Sequence, residues 1–486
     1  MAHAKLKVEF GDFQTPDSLA LELCRYLVGI GVSPSAIVEP TCGVGAFIIA
    51  ALECFPRATK VIGVEVNASY LSTLSDRLES EPRRDRVFLR EADFFQENWR
   101  TLIAGSDGSV LILGNLPWVT SSTLGGLGSS NLPKKSNFLG HSGFDAISGK
   151  ANFDISESML LSMLDWFRGR SGDIAILVKT AVARKVLAHV ERRQDSVTNA
   201  HLVKINAKAA FDASVDACLL VIRLDPNKAQ NCYDYTVYES LNDRVGSRVG
   251  HRSGISVANL ESFEANRHLM GASPEKWRSG VKHDAAAVME FTEADGELVN
   301  GLGDVVSLEP QYLYPLMKGS DIGSGKTWRR KWTLVTQQSV GQPTDIIRST
   351  APKTWEYLEK NAAQLDRRVS SIYEKNPRFS VFGVGPYAFR PWRIAICGLY
   401  KSLAFRLIGP IEGKPVMFDD TVYYLSFETE EAAQRVLSEL ESDPAKSFLG
   451  SLIFWDEKRP IKASILNLLD HSKLGSHPEA PQMSLL

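Results

Sequence analysis

The chain is 486 residues long, above the size at which a single hydrophobic core stops growing, so two or three domains are expected. Hydrophobic residues make up 44% and charged residues 23%, which excludes a mainly disordered, collagenous or coiled-coil protein. A formal charge of −2 excludes a globally basic surface, so any nucleic-acid binding must come from local basic patches.

The six cysteines (Cys24, Cys42, Cys54, Cys218, Cys232 and Cys397) are widely spaced, with no CxxC pair and no histidine cluster beside them. That spacing speaks against a zinc site or a disulfide framework and fits a reducing cytoplasm. The first residues, MAHAKLKVEFGDFQ, lack the apolar core of a signal peptide. No run reaches about 18 apolar residues, so no membrane span is expected.

Thr15 fits an N-cap and Pro16 a first helical position, after which Leu19, Leu23, Leu27 and Ile30 share one face. Short runs rich in Val, Ile and Leu at 36–39, 60–66, 87–92, 110–114 and 173–179 read as strands buried on both faces. Ile155, Met159, Met163 and Phe167 form a second helical face between the last two. This alternation predicts an α/β fold with a parallel sheet and ligands at the carboxyl ends of its strands. Residues 201–206 and 217–224 are expected to add an edge hairpin, closing a first domain at about residue 225. Periodicity then weakens over 226–304, which reads as a connector with some helix, for instance at 292–300. A second domain, rich in Trp, Tyr, Arg and Lys, is expected over 305–470, and the tail 471–486 is expected to be disordered.

Residues 38–47 read VEPTCGVGAF, a strand followed by a Gly43-x-Gly45 turn and a helix start. Glycines there let backbone approach a ligand with no Cβ in the way. The third glycine of the dinucleotide fingerprint is absent, because Phe47 follows Ala46, and this disfavours a pyrophosphate-bearing cofactor. Glu65 ends the next strand 22 residues after Gly43, close to the roughly 20 expected of an acid that takes ribose hydroxyls. Asp93 and Phe94 follow the third strand. Each acid alone also fits a surface carboxylate or a helix cap. Glu39, Glu65 and Asp93 at three successive strand ends point to one polar ligand.

The fourth strand runs into Asn115–Leu116–Pro117–Trp118. With Phe13–Gln14–Thr15–Pro16, the turn at 39–47, Glu65 and Asp93–Phe94, this series resembles the γ class of S-adenosylmethionine-dependent amino DNA methyltransferases, the adenine-N6 enzymes of restriction–modification type. The resemblance covers nearly the first 225 residues and continues more loosely beyond. It implies a Rossmann-like class I methyltransferase domain with a C-terminal target-recognition domain. It places Thr15, Pro16, Glu39, Pro40, Thr41, Cys42, Gly43, Gly45, Phe47, Glu65, Asp93, Phe94 and Asn115 around S-adenosylmethionine. The family's tetrapeptide is usually Asn-Pro-Pro followed by an aromatic residue. Leu116 here keeps the backbone carbonyl but relaxes the fixed φ.

An exocyclic amine is a poor nucleophile because its lone pair is delocalised into the ring. Two acceptors, the Asn115 side-chain oxygen and the Leu116 carbonyl, would favour a tetrahedral nitrogen, while Pro117 stiffens the turn and Trp118 stacks on a flipped base. The resemblance also implies a second stacking ring, for which Phe211 is the candidate; a core phenylalanine before a strand reads the same way. Asn-Leu-Pro-Trp is, at its plainest, a turn with a core tryptophan. A Ser/Gly-rich stretch after Trp118 carries Lys134 and Lys135 and reads as a substrate-ordered lid or a solvated insertion.

In the second domain, basic residues alternate with aromatics at 328–332 (WRRKW) and 387–393 (YAFRPWR), with Lys401 nearby. Arg329, Arg330, Lys331, Arg390, Arg393 and Lys401, with Lys134 and Lys135 of the first domain, are therefore candidate DNA contacts, though protein-binding surfaces carry the same pattern. The partner implied is duplex DNA, and a cognate restriction endonuclease would be a second. Cytosine-N4, RNA or protein-glutamine methylation is the enzymatic alternative, and a catalytically weak DNA-binding subunit the non-enzymatic one.

Overall fold

The apolar runs become the strands of a ten-stranded sheet in the order β10-β9-β8-β6-β7-β5-β4-β1-β2-β3. The computed structural model describes residues 14–104, 108–118, 154–228 and 231–474, and divides into units Met1–Val257 and Ala258–Leu486. In the first unit β1 (Ala36–Glu39) is hydrogen-bonded in parallel to both β2 (Lys60–Glu65) and β4 (Val110–Asn115). The chain steps outward from β1 through β2 to β3 (Val87–Glu91), then returns to β4 and β5 (Gly172–Lys179) on the other side. Strand order thus reverses between β1 and β4, and their carboxyl ends open the crevice where α/β sheets hold ligands.

Helices cover the sheet because each presents an apolar stripe. α1 (Asp17–Gly29) buries Ala20, Leu23, Cys24 and Leu27. Its N-cap is Pro16 rather than Thr15, so the helix begins one residue later than the capping pattern predicts. α2 (Ala46–Cys54), α3 (Ala68–Leu78), α4 (Trp99–Ala104), α5 (Ile155–Trp166) and α6 (Thr180–Arg193) follow their strands. β6 (Val197–Ile205), the short α7 (Ala207–Phe211) and β7 (Ala217–Leu224) make the expected antiparallel edge.

The sheet does not stop there. β8 (Tyr235–Tyr238) pairs in parallel with β6, and β9 (Ser247–Arg252) and β10 (Ile255–Val257) extend it antiparallel. Residues 235–257 therefore extend the first sheet and 258–304 fall in the second unit, so the connector expected over 226–304 is not a separate element.

The second unit holds a four-stranded sheet and a six-stranded one. Its strands used below are β12 (Glu290–Ala294), β13 (Glu297–Asn300), β16 (Lys331–Leu334) and β17 (Trp392–Cys397). The helix expected at 292–300 is instead the β12–β13 hairpin, with Ala294 opposite Glu297 and the left-handed Asp295 and Gly296 between them. The tail is also more ordered than expected at its start. His471 is 8% exposed and lies 3.0 Å from Glu275 Oε2 and 3.3 Å from Glu439 Oε2. Among the described residues no helix is long and apolar enough to cross a membrane.

Candidate functional site

The turn after β1 is drawn tight by local hydrogen bonds. Gly45 N–H donates to Cys42 O and Cys42 N–H to Val64 O, tying the turn to β2. Gly43 and Gly45 both take the left-handed conformation, with φ of 50° and 84°. A Cβ on Gly43 would meet Gln14 Oε1 at 2.6 Å, and one on Gly45 would meet Leu74 at 2.1 Å. Gly45 thus serves close packing on α3, whereas Gly43 lies under the Gln14 side chain, whose Oε1 also accepts from Val44 N–H at 3.2 Å.

Glu65 is held over this turn. Its carboxylate accepts from the N–H groups of Gly43 (2.9 Å), Val66 (3.0 Å) and Asn67 (2.9 Å). A carboxylate offers about four lone-pair positions, so a ribose diol would have to share or displace one of these donors. Asp93 is engaged in its own turn, accepting from Phe95 N–H at 2.8 Å and Gln96 Nε2 at 3.0 Å.

Glu39 differs from both. It is 3% exposed, and its Oε2 has no hydrogen-bond partner among the described residues. Burial first, and then the nearby Glu65 charge, raise its carboxyl well above the usual range, opposed by the Ile48 N–H. A buried acid with a spare oxygen at the strand-order reversal is a ready receiver for a cationic group. Cys42 is buried beside it, and desolvation pushes its thiol up, away from thiolate chemistry.

Asn115 ends β4 next to this acid, and Thr41 Oγ1 donates to its carbonyl at 3.0 Å. Leu116 N–H reaches Leu177 O at 3.4 Å, carrying the β4–β5 ladder one residue further than a proline would allow. Trp118 is buried with Phe211 among Ala207, Ala213 and Ala217. The two rings meet edge to face at 5.1 Å.

Several candidates are drawn together and others are not. Pro40, Thr41, Cys42 and Gly43 follow Glu39 in the turn after β1, and Glu65 bonds across to it, while Thr15 and Pro16 stand at the start of α1 beside Gln14, which accepts from Val44 N–H. Phe47 is corrected: it is 1% exposed in the hydrophobic core, where it anchors α2 instead of facing a ligand. Phe94 is likewise buried, packed on Trp99 and Trp166, which stack at 4.5 Å beneath the Asp93 turn.

In the second unit Arg393 is also corrected. It is wholly buried, donating to the carbonyls of Val416, Arg390 and Ala388, and burial lowers its pKa to about 10. Arg329 pairs with the buried Asp321, Arg330 with Glu293 at 2.8 Å and Arg390 with Glu428 at 3.0 Å. Lys401 is exposed and Lys331 partly so. Phe13, Lys134 and Lys135, with the expected lid, lie outside the described residues.

The sequence assigns Gln14 no role beyond its place in the 13–16 motif, and Lys179 and Asp154 none at all. Lys179 carries a legible signal, as the one charge at the carboxyl end of the apolar run IAILVK. Its Nζ donates to Trp118 O at 3.0 Å and to Asp154 Oδ2 at 2.7 Å.

The chain is 46% identical over 468 residues to the type II methyltransferase M.NspV of Nostoc sp. (strain ATCC 29411 / PCC 7524), covering 96% of this chain and 97% of that protein. Its fold is similar to that of the type IIL restriction–modification enzyme MmeI, solved in complex with DNA, at a TM-score of 0.54 and 12% identity. That likeness covers 96% of this chain but only 65% of MmeI. No protein-family model matches the chain.

Proposed function

Because the chain belongs to the type II methyltransferases, S-adenosylmethionine-dependent DNA methyltransferases of restriction–modification systems, we infer that it methylates the N6 amine of an adenine flipped from duplex DNA. The observation that carries this reading is the position of Asn115, at the β4 end beside Glu39, with Trp118 and Phe211 in ring contact on the same edge.

The β1 edge fits the cofactor. Gly43 brings the turn under the Gln14 and Glu65 side chains, and Glu39 offers a buried oxygen without a partner among the described residues. When bound, S-adenosylmethionine supplies an electrophilic methyl group on a sulfonium. Glu39 then receives the amino acid end, Glu65 the ribose, and the Asp93–Phe94 turn borders the adenine.

Asn115 Oδ1 and the Leu116 carbonyl accept the two amine hydrogens and free the nitrogen lone pair for attack. Trp118 stacks on the base, which repays part of the few kcal/mol that flipping costs. By orienting the amine beside the cofactor site, Asn115 and Leu116 would supply much of the remaining rate. The second unit reads the target sequence, with Lys331 and Lys401 available for phosphate contacts; an endonuclease reading the same sequence is the expected partner, and the cytoplasm the expected location.

Methyl transfer from labelled cofactor to unmethylated DNA, followed by nucleoside analysis, tests this. N6-methyladenine is expected, and its loss in Asn115→Ala with cofactor affinity kept. N4-methylcytosine as the product overturns the adenine assignment.

A further inference from the structure

The geometry points to Lys179 as a positioning residue for methyl transfer, clamping the carbonyl end of the Asn115–Trp118 segment through its ion pair with Asp154; this rests on the reading of that segment as the catalytic one. β4 and β5 pair with Asn115 opposite Leu177, which sets Lys179 alongside residues 116–118. The Lys179 side chain is 21% exposed and that of Asp154 7%. An ammonium this far from water is tolerated only with partners, and among the described residues Lys179 has Asp154 Oδ2 at 2.7 Å and Trp118 O at 3.0 Å.

Asp154 is itself fixed. It caps α5, its Oδ1 accepting from Ser156 N–H at 3.2 Å and Ser156 Oγ at 2.6 Å. The clamp is therefore anchored to a helix end instead of a free side chain. At the other end of the segment Thr41 Oγ1 grips the Asn115 carbonyl at 3.0 Å. Between them Pro117 fixes its own φ, while Leu116 and Trp118 carry no such restraint. Two side-chain hydrogen bonds, one at each end, hold in place the acceptors that must meet the amine.

The test compares Lys179→Met, Lys179→Arg and Asp154→Asn in the full chain, with Asn115→Ala as reference. Lys179→Met should lower kcat by about 10- to 100-fold, the scale of an ångström-sized misplacement. KM for DNA should stay within about threefold and cofactor affinity, read by calorimetry, should be unchanged. Lys179→Arg, which keeps a donor and the charge, should restore part of kcat. Asp154→Asn keeps the α5 cap but loses the anchor, and should fall between the two.

If Lys179→Met turns over within twofold of wild type while Asn115→Ala is inactive, the clamp is overturned. A kcat loss that only tracks a loss of folded protein by circular dichroism, with both recovered in Lys179→Met/Asp154→Asn, makes the pair structural and also overturns it. Active Asn115→Ala removes the catalytic reading itself, and the clamp falls with it.

Discussion

Trp118 and Phe211 touch each other, ring edge to ring face, with centroids 5.1 Å apart and planes at 73°. A base sandwiched between two rings needs about twice the 3.5–4.0 Å of a carbon–carbon contact. The two cannot both stack on a base in this arrangement, so one ring must swing away. Phe211 is the one that can, being half-buried on a five-residue helix, whereas Trp118 is nearly buried and its carbonyl is held by Lys179.

Phe211→Ala should therefore leave cofactor affinity unchanged and weaken binding of DNA carrying the target base by about 1–3 kcal/mol, the value of one stacking contact. Titration against duplexes with and without the target base measures it. Equal affinities in mutant and wild type would show that Phe211 never meets the base.

Glu39 predicts a pH signature. Its folded pKa is raised above the usual 4.5, so the folded chain holds a proton that the unfolded chain releases. That contribution is complete below about pH 4.5 and is lost as pH rises toward the folded pKa. Glu39→Gln, which cannot ionise, should match wild type in thermal midpoint at pH 4 and exceed it at pH 7 without cofactor. The same variant should bind cofactor more weakly. A midpoint below wild type at pH 7 sinks this account.

Glu65 is expected to carry both a turn and a ligand. Glu65→Ala removes the acceptor for three backbone N–H groups as well as the ribose contact. Cofactor affinity should drop by about 1–3 kcal/mol. Glu65→Gln, which still accepts at one oxygen, should recover part of the stability and less of the affinity. Calorimetry beside a melting curve separates the two effects.

In the second unit, Arg329 and Lys401 should behave differently. Arg329 faces Asp321, whose side chain is only 3% exposed, so Arg329→Ala leaves a buried carboxylate without its cation. It should lower stability by about 1–3 kcal/mol. Lys401→Ala should leave stability alone and reduce the slope of log affinity against log salt by about 0.9 if it meets one phosphate. Filter binding across a salt series decides; an unchanged slope removes Lys401 from the DNA face.

The parallel half of the first sheet was legible because buried strands such as β1 and β4 are unbroken apolar runs, and because Glu39, Glu65 and Asn115 close them. β8 and β9 are not, since β8 buries only its first residue and β9 runs from exposed to buried to half-buried in pairs, so neither alternates cleanly. The β12–β13 hairpin carries its own signal, the Asp295–Gly296 pair between the two strands. Arg393 shows the limit of composition. Basic and aromatic residues interleave both on surfaces that meet phosphate and in strands that bury a guanidinium, and only the tertiary fold separates the two. Lys179 and Asp154 lie 25 positions apart, so no local pattern joins them.

Arg393 has one more consequence, for anyone exchanging segments of the second unit between relatives. Its guanidinium stitches carbonyls at 388, 390 and 416, which belong to two separate stretches of chain, to the middle of a buried sheet. A graft that changes the backbone path at 388–390, or in the turn leading to 416, moves acceptors off the guanidinium and leaves a buried cation short of partners. Functional chimeras should thus be found only where both stretches come from the same parent, and the unit is interchangeable as a block rather than loop by loop.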